Sequence, residues 1–238
     1  MTQPRVTEIA TERRSHHPHL LVVVGPGVDD VEVDRAADEG RRVHDARSEQ
    51  PMASVEQLVA DHALATPDLI VCLGSRTATA EALALVHDVP LATTSTLAPR
   101  RVESIAAAVR TGSEMRCAVL DMRLDGSRRF AVQHIAMGGE GLAIRGVHDR
   151  AGTWSPQRAT VRISPAGIDS TEVIVHDGAG GHAHGERVTI TADIGWIAMR
   201  GPHQRFNRLD VEVHPSPLRQ VVVGAPSRRR PVVDTVPL

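Results

Sequence analysis

The stretch that most constrains the fold runs Pro67-Asp-Leu-Ile-Val-Cys-Leu-Gly-Ser-Arg-Thr-Ala-Thr-Ala-Glu81. From Asp68 to Leu73 it is apolar after its first residue, at the length of a strand covered on both faces in a parallel sheet. Gly74-Ser75-Arg76-Thr77 turns the chain, and Ala82, Leu83 and Val86 then recur at helical spacing. A strand, a turn of small residues and a helix start together make an anion site. Unpaired N–H groups and the positive end of the helix dipole face one point there.

The residues around this unit repeat its plan. Leu20 to Gly25 reads as a buried strand closed by Gly25-Pro26-Gly27, with a short helix over Val31 to Ala37 stopped by Gly40 and a strand over Arg42 to Ala46. Ser54-Val-Glu-Gln57 fits a capping box and predicts a helix over 54–65. Pro90 to Thr94 predicts a further strand. Pro99 then starts a helix striped by Val102, Ile105, Ala106 and Val109 and ended by Gly112. This alternation is that of a doubly wound α/β sheet. Ligands of such sheets bind beyond the carboxyl ends of the strands, where Gly74 to Thr77 and Thr94 to Thr96 fall.

After about Glu114 the period changes. Short strands are expected over 117–124, 129–137, 141–147, 159–164, 171–176, 186–191, 209–214 and 220–224, punctuated by Gly, Pro, Asp or Ser. They describe an all-β, sandwich-like or half-barrel region. The expected organisation is a flexible tail over 1–18, an α/β domain over 19–115, a β-sandwich domain over 116–225 and a tail over 226–238. The first tail carries His16 and His17, with His19 just beyond it; the second carries Arg228-Arg229-Arg230. Both read as solvated termini.

Composition narrows the chemistry. Every basic residue other than His is Arg, so a P-loop lysine, a Schiff-base lysine and a Ser–Lys dyad are all excluded. A formal net charge of −2 gives no field for nucleic acid or an anionic membrane, and with no Tyr and 2% aromatics there is little surface to stack bases. Cys72 and Cys117 sit far apart in apolar runs and read as thiols of a reducing compartment, so the expected location is cytoplasmic. Leu20 to Val24 is too short for a signal peptide, and nothing reaches membrane-spanning length. His182-Ala-His184-Gly-Glu186 has the spacing to place two His on one strand face, as a metal site would. Its glycine-rich surroundings read instead as a solvated hairpin loop, and no metal site is expected.

In this order the motifs resemble the NAD kinase and diacylglycerol kinase superfamily. Gly74-Ser-Arg-Thr-Ala-Thr-Ala-Glu81 is similar to that superfamily's Gly-Gly-Asp-Gly-Thr followed by two residues and an acid. Pro90-Leu-Ala-Thr-Thr-Ser-Thr-Leu-Ala98 resembles its Pro-Leu-Gly-Ile-Asn segment, and Ala131-Val-Gln-His-Ile-Ala-Met137 resembles the Ala-Leu-Asn-Glu run of NAD kinases. Asp177-Gly178, Gly185-Glu-Arg-Val-Thr-Ile190 and Phe206-Asn-Arg-Leu209 are similar to the NAD kinase C-terminal pattern. Gly138-Gly139-Glu140 is similar to the lipid kinases' Gly-x-Asp.

The resemblance implies a nucleotide or phosphate site at Gly74, Ser75, Arg76, Thr77, Thr94, Ser95 and Thr96, with substrate positions at Gln133, His134, Glu140 and Asp177. It implies ATP or NAD(P) as ligand and self-association through the β domain. The departures change the expected chemistry. Arg76 stands where the family has Asp, Ser75 and Thr77 replace glycines, Gln133-His134 replaces Asn-Glu, and the family's Thr-Pro-Thr-Gly-Ser-Thr-Ala-Tyr loop has no counterpart. Phosphoryl transfer works by positioning and electrostatics around Mg²⁺, and a reversed charge at the anchor argues against that metal. The expected function is therefore ligand binding with phosphotransfer lost or altered. An active kinase using Asp177, Glu140 or Glu81, and a non-catalytic oligomeric scaffold, are the alternatives.

Overall fold

The structure, a computed structural model, describes residues 19–47, 54–61, 66–132, 134–148, 153–156, 158–167, 169–177, 180–198 and 203–223. Both expected tails beyond these ranges, Gln133, and residues 62–65 of the expected 54–65 helix lie outside the described residues. The first half of the chain gives β1 (Leu20–Val24), α1 (Asp30–Asp38), β2 (Arg42–Asp45), α2 (Val55–Asp61), β3 (Leu69–Leu73), α3 (Ala78–Val86), β4 (Leu91–Thr94) and α4 (Pro99–Arg110). Next come β5 (Glu114–Cys117), β6 (Val119–Leu124), β7 (Ser127–Val132), β8 (Ile135–Glu140) and β9 (Ala143–Arg145). The last are β10 (Arg158–Pro165), β11 (Thr171–His176), β12 (Gly181–Gly185), β13 (Arg187–Ala198), β14 (Gln204–Val213) and β15 (Leu218–Val221).

The first sheet has six strands in the order β2-β1-β3-β4-β15-β5. β1 pairs with β2 and β3 in parallel, and β3 with β4. β1 and β3 are apolar throughout because each is covered twice. Leu21, Val23, Ile70 and Cys72 face one core with Val55, Leu58 and Leu83 from α2 and α3. Val22, Val24, Val71 and Leu73 face the other, with Ala36 of α1 and Ile105 of α4. The helices start where the sequence marks them. Ser54 Oγ accepts from the Gln57 N–H at 3.1 Å, and Pro99 opens α4.

The second sheet has nine strands, in the order β12-β11-β10-β8-β13-β14-β6-β7 with β9 beside β13, and all of its pairings are antiparallel. Alternation sorts its faces, as in β10, where Ala159, Val161 and Ile163 point inward and Arg158, Thr160 and Arg162 outward. Its inward side chains form one core that runs from Leu120 and Met122 to Val173 and Val175. Val119, Phe130 and Val132 pack instead into the core beneath α2 and α3, so the second sheet is seated on that side of the first. The expected α/β region followed by a β region is what the structure shows.

Three differences have physical causes. The expected strands over 117–124 and 129–137 each break in two, at Ala118 and near His134, where the chain changes partner strand. Residues 182–184, expected in a hairpin loop, form β12. His148 N–H donates to the His184 carbonyl at 2.7 Å on the side away from β11. The last strand, expected to complete the β region over 116–225, belongs to the first sheet, where β15 lies parallel to β4 and antiparallel to β5. Leu218 fills the core under α3 there, a long-range match that no local pattern carries. Among the described residues no helix is long and apolar enough to cross a membrane.

Candidate functional site

The order β2-β1-β3-β4 reverses direction between β1 and β3, so the crevice of a doubly wound sheet falls between their carboxyl ends. Here that crevice is closed by the Ser75 carbonyl and the Val28 side chain. A Cβ on Gly25 would sit 2.3 Å from the Ser75 carbonyl oxygen, and one on Gly74 would sit 2.6 Å from Val28 Cγ2. Gly74 also has a φ of +85°, open to glycine and costly for other residues. Gly25 N–H donates to Leu73 O at 2.9 Å and Gly74 N–H to Thr94 O at 2.8 Å, which ties the turns after β1, β3 and β4 together. These glycines let turn meet turn.

Thr77 caps α3 from an extended conformation, and its Oγ1 accepts from the Ala80 N–H at 3.1 Å. The cap aims the preceding residue, Arg76, back across the first turn of the helix. Its Nε lies 2.6 Å from Glu81 Oε1, with the Glu81 side chain 3% exposed and that of Arg76 16%. Arg76 Nη1 also donates to Gln220 Oε1 of β15 at 2.9 Å. Cys117 Sγ approaches the same oxygen at 3.7 Å. Cys72 completes the corner, its thiol donating to Ser75 O at 3.2 Å, and burial holds that thiol above its ordinary range.

Beyond β4 the two threonine hydroxyls are satisfied internally too. Thr94 Oγ1 donates to Thr96 O at 2.9 Å and accepts from Arg101 Nε at 3.3 Å, while Thr96 Oγ1 accepts from the Ala98 N–H at 3.2 Å. Ser95 is exposed. α4 begins at Ala98 without a side-chain cap, and no acid stands in its first turn.

The structure thus brings Gly74 to Thr77 and Thr94 to Thr96 to one edge of the first sheet. Of the four residues expected on the substrate side, the three that are described are not there. His134 is exposed just before β8, Glu140 ends β8, Asp177 accepts from the Gly180 N–H at 3.0 Å after β11, and Gln133 lies outside the described residues. Two participants escaped the sequence reading, Gln220 and Arg101. Gln220 is 144 residues from Arg76, and only the placing of β15 reveals the contact.

This edge thus carries the hydroxyls of Ser75, Thr77 and Thr94 to Thr96 and the Arg76 guanidinium, whose charge is already matched by a carboxylate. Among the described residues no group of three or more His, Cys, Asp or Glu is arranged to hold a metal ion. His182 Nε2 instead meets Glu172 Oε1 at 2.8 Å, and the His184 ring stands edge-on to that of His182 at 4.8 Å.

No protein-family model and no curated protein matches the sequence. Among solved structures, the chain is similar to an NAD kinase from Archaeoglobus fulgidus in complex with ATP. The TM-score is 0.49 and the identity 13%, over 86% of this chain and 94% of that one. It is similar also to a diacylglycerol kinase from Bacillus anthracis str. Sterne, with a TM-score of 0.49 and 9% identity over 86% of this chain and 96% of that one. These are the two kinds of kinase that the sequence motifs resemble.

Proposed function

We propose that this chain is a binding relative of the NAD kinase and diacylglycerol kinase superfamily. It holds a nucleotide or phosphate ligand at the carboxyl edge of the first sheet and does not pass the phosphoryl group on. The observation that carries this reading is the Arg76–Glu81 ion pair, made with Glu81 almost fully buried. In-line phosphoryl transfer needs metal-bound charge placed around the transferring group. A carboxylate neutralised by a neighbouring guanidinium attracts a divalent cation poorly, and Arg76 itself would repel it.

Binding places weaker demands on the corner. The Ser75 and Ser95 hydroxyls are free of internal hydrogen-bond partners among the described residues, and the uncapped start of α4 carries Arg100 and Arg101 without a first-turn acid. Such groups suit an anion such as the phosphates of ATP or NAD(P). Arg76 holds the turn in place rather than gripping the phosphate itself.

Thermal-shift titration of the purified chain with ATP, ADP, NAD and NADP tests the reading. At least one of these raises the melting temperature, and Ser95→Asp, which sets a negative charge at the edge, abolishes the rise. No rise with any of them, or a rise that Ser95→Asp leaves unchanged, overturns it.

A further inference from the structure

A second cleft lies on the outward face of the nine-stranded sheet, across β10, β8 and β13, away from its core. Its volume is about 600 Å³, within the range of small-molecule sites. Register fixes what faces outward there. Arg158 of β10 stands opposite Glu140 of β8, which stands opposite Ile194 of β13. In the next outward row Thr160 and Trp196 flank Gly138, and His176 of β11 faces Thr160. The Trp196 indole leans over Gly138, where a Cβ would come within 2.5 Å of its Cζ2, and stacks on His203 at 4.8 Å.

The groups in this cleft are unspent. Arg158 and Glu140 face each other across the strand pair, yet neither makes an ion pair or side-chain hydrogen bond among the described residues. The Thr160 hydroxyl is likewise unused. Ile194 is 58% exposed, the second most exposed large apolar side chain among those described. An isoleucine left in water beside two unpaired opposite charges is what a ligand with complementary chemistry would cover.

We propose that this cleft binds a free apolar α-amino acid. Across three neighbouring strands, about 5 Å apart, the wall runs cation, anion, apolar. An α-amino acid presents the matching sequence of groups in the same compass, a carboxylate, an ammonium beside it, and an apolar side chain beyond. The carboxylate lies on Arg158 with help from the Thr160 hydroxyl, a planar fork suited to it. The ammonium lies on Glu140, and the side chain covers Ile194 against the Trp196 edge. Neither end of a longer peptide offers both charges on one residue, so the free amino acid is the source that fits. This site stands on the second sheet and does not depend on the phosphate reading of the first.

Calorimetric titration of the full chain with L-leucine and L-phenylalanine tests it, alongside leucine amide, which lacks the carboxylate, and N-acetylleucine, which lacks the ammonium. The free amino acids bind saturably, and each blocked analogue binds at least about tenfold more weakly, the loss of one charge-assisted contact. Arg158→Ala erases the preference for leucine over its amide, and Glu140→Gln erases the preference over N-acetylleucine. Both positions are exposed, and unchanged melting temperatures verify that the variants fold. Absence of saturable binding, or binding that neither variant alters, overturns the proposal. So does a concentration-dependent dimer broken by Arg158→Ala, because a second copy of the chain would then fill the cleft.

Discussion

Arg76 is where the chemistry of this chain departs from what its motif suggests. Glu81 lies five positions further on and is 3% exposed, and the guanidinium 2.6 Å away compensates its buried charge. Removing one partner of such a pair costs far more than replacing both. Arg76→Ala is therefore expected to lower the unfolding free energy by about 3–5 kcal/mol in urea titration. Arg76→Leu combined with Glu81→Leu should recover most of that loss. If the double variant is as unstable as the single one, the pair is not what makes Arg76 matter to stability. The sequence shows an Arg at a phosphate-type turn. It does not show that the Arg faces inward, because one of its partners, Gln220, comes from the other end of the chain.

Asp210 offers a residue-scale test through pH. Burial pushes its carboxyl up, but hydrogen bonds from Arg208 and Thr189 and the charges of Arg208 and Arg187 outweigh this and leave it below the ordinary 3.8. A carboxylate with a lowered folded pKa contributes stability that is fully present above its ordinary value and lost as pH falls through the folded one. Asp210→Asn should thus be less stable than the parent at neutral pH, with the gap closing below pH 3.8. Denaturant midpoints measured across that range would show it, and a gap independent of pH would contradict it.

At the scale of elements, the sequence spoke most clearly where a local rule decides. The double-sided apolar run of β3, the Ser54 cap of α2 and the Pro99 start of α4 are all properties of adjacent residues. Strand limits in the β region were harder to read, because breaks at Ala118 and near His134 reflect a change of partner strand rather than a change of composition. The glycines show the same division. Gly74 reads as a phosphate-approach residue from its motif, yet the space its missing Cβ leaves is closed by Val28, and Gly25 abuts the Ser75 carbonyl. Gly25→Ala forces a methyl to within 2.3 Å of that oxygen, a backbone atom that cannot rotate away. A loss of about 3 kcal/mol in chemical denaturation is expected. A neutral effect would mean that the two turns separate easily, which would reopen the crevice between β1 and β3.

Across the whole molecule, β15 joins what the sequence divides. It enters the first sheet between β4 and β5, fills the core under α3 with Leu218, and supplies Gln220 to Arg76. Ending the chain after Pro217 should therefore damage the α/β sheet, not merely trim the β region. The truncated protein should lose its cooperative thermal transition by calorimetry, whereas retention of a transition within a few degrees would show that β15 is dispensable. The α/β region followed by a β region was legible because periodicity differs on the two sides of Glu114. The return of the last strand was not, since β-pairing across the chain leaves no periodic trace.

The most direct measurement is phosphoryl transfer from labelled ATP to NAD and to diacylglycerol, with Mg²⁺ and with Mn²⁺, by the parent chain and by the Arg76→Leu, Glu81→Leu pair. With Arg76 bound to a buried carboxylate at the corner where the motif it resembles holds an acid, no transfer above the protein-free control is expected to either acceptor. Transfer by the parent chain to either acceptor would contradict the account, and its loss in the paired variant would place the activity at this corner.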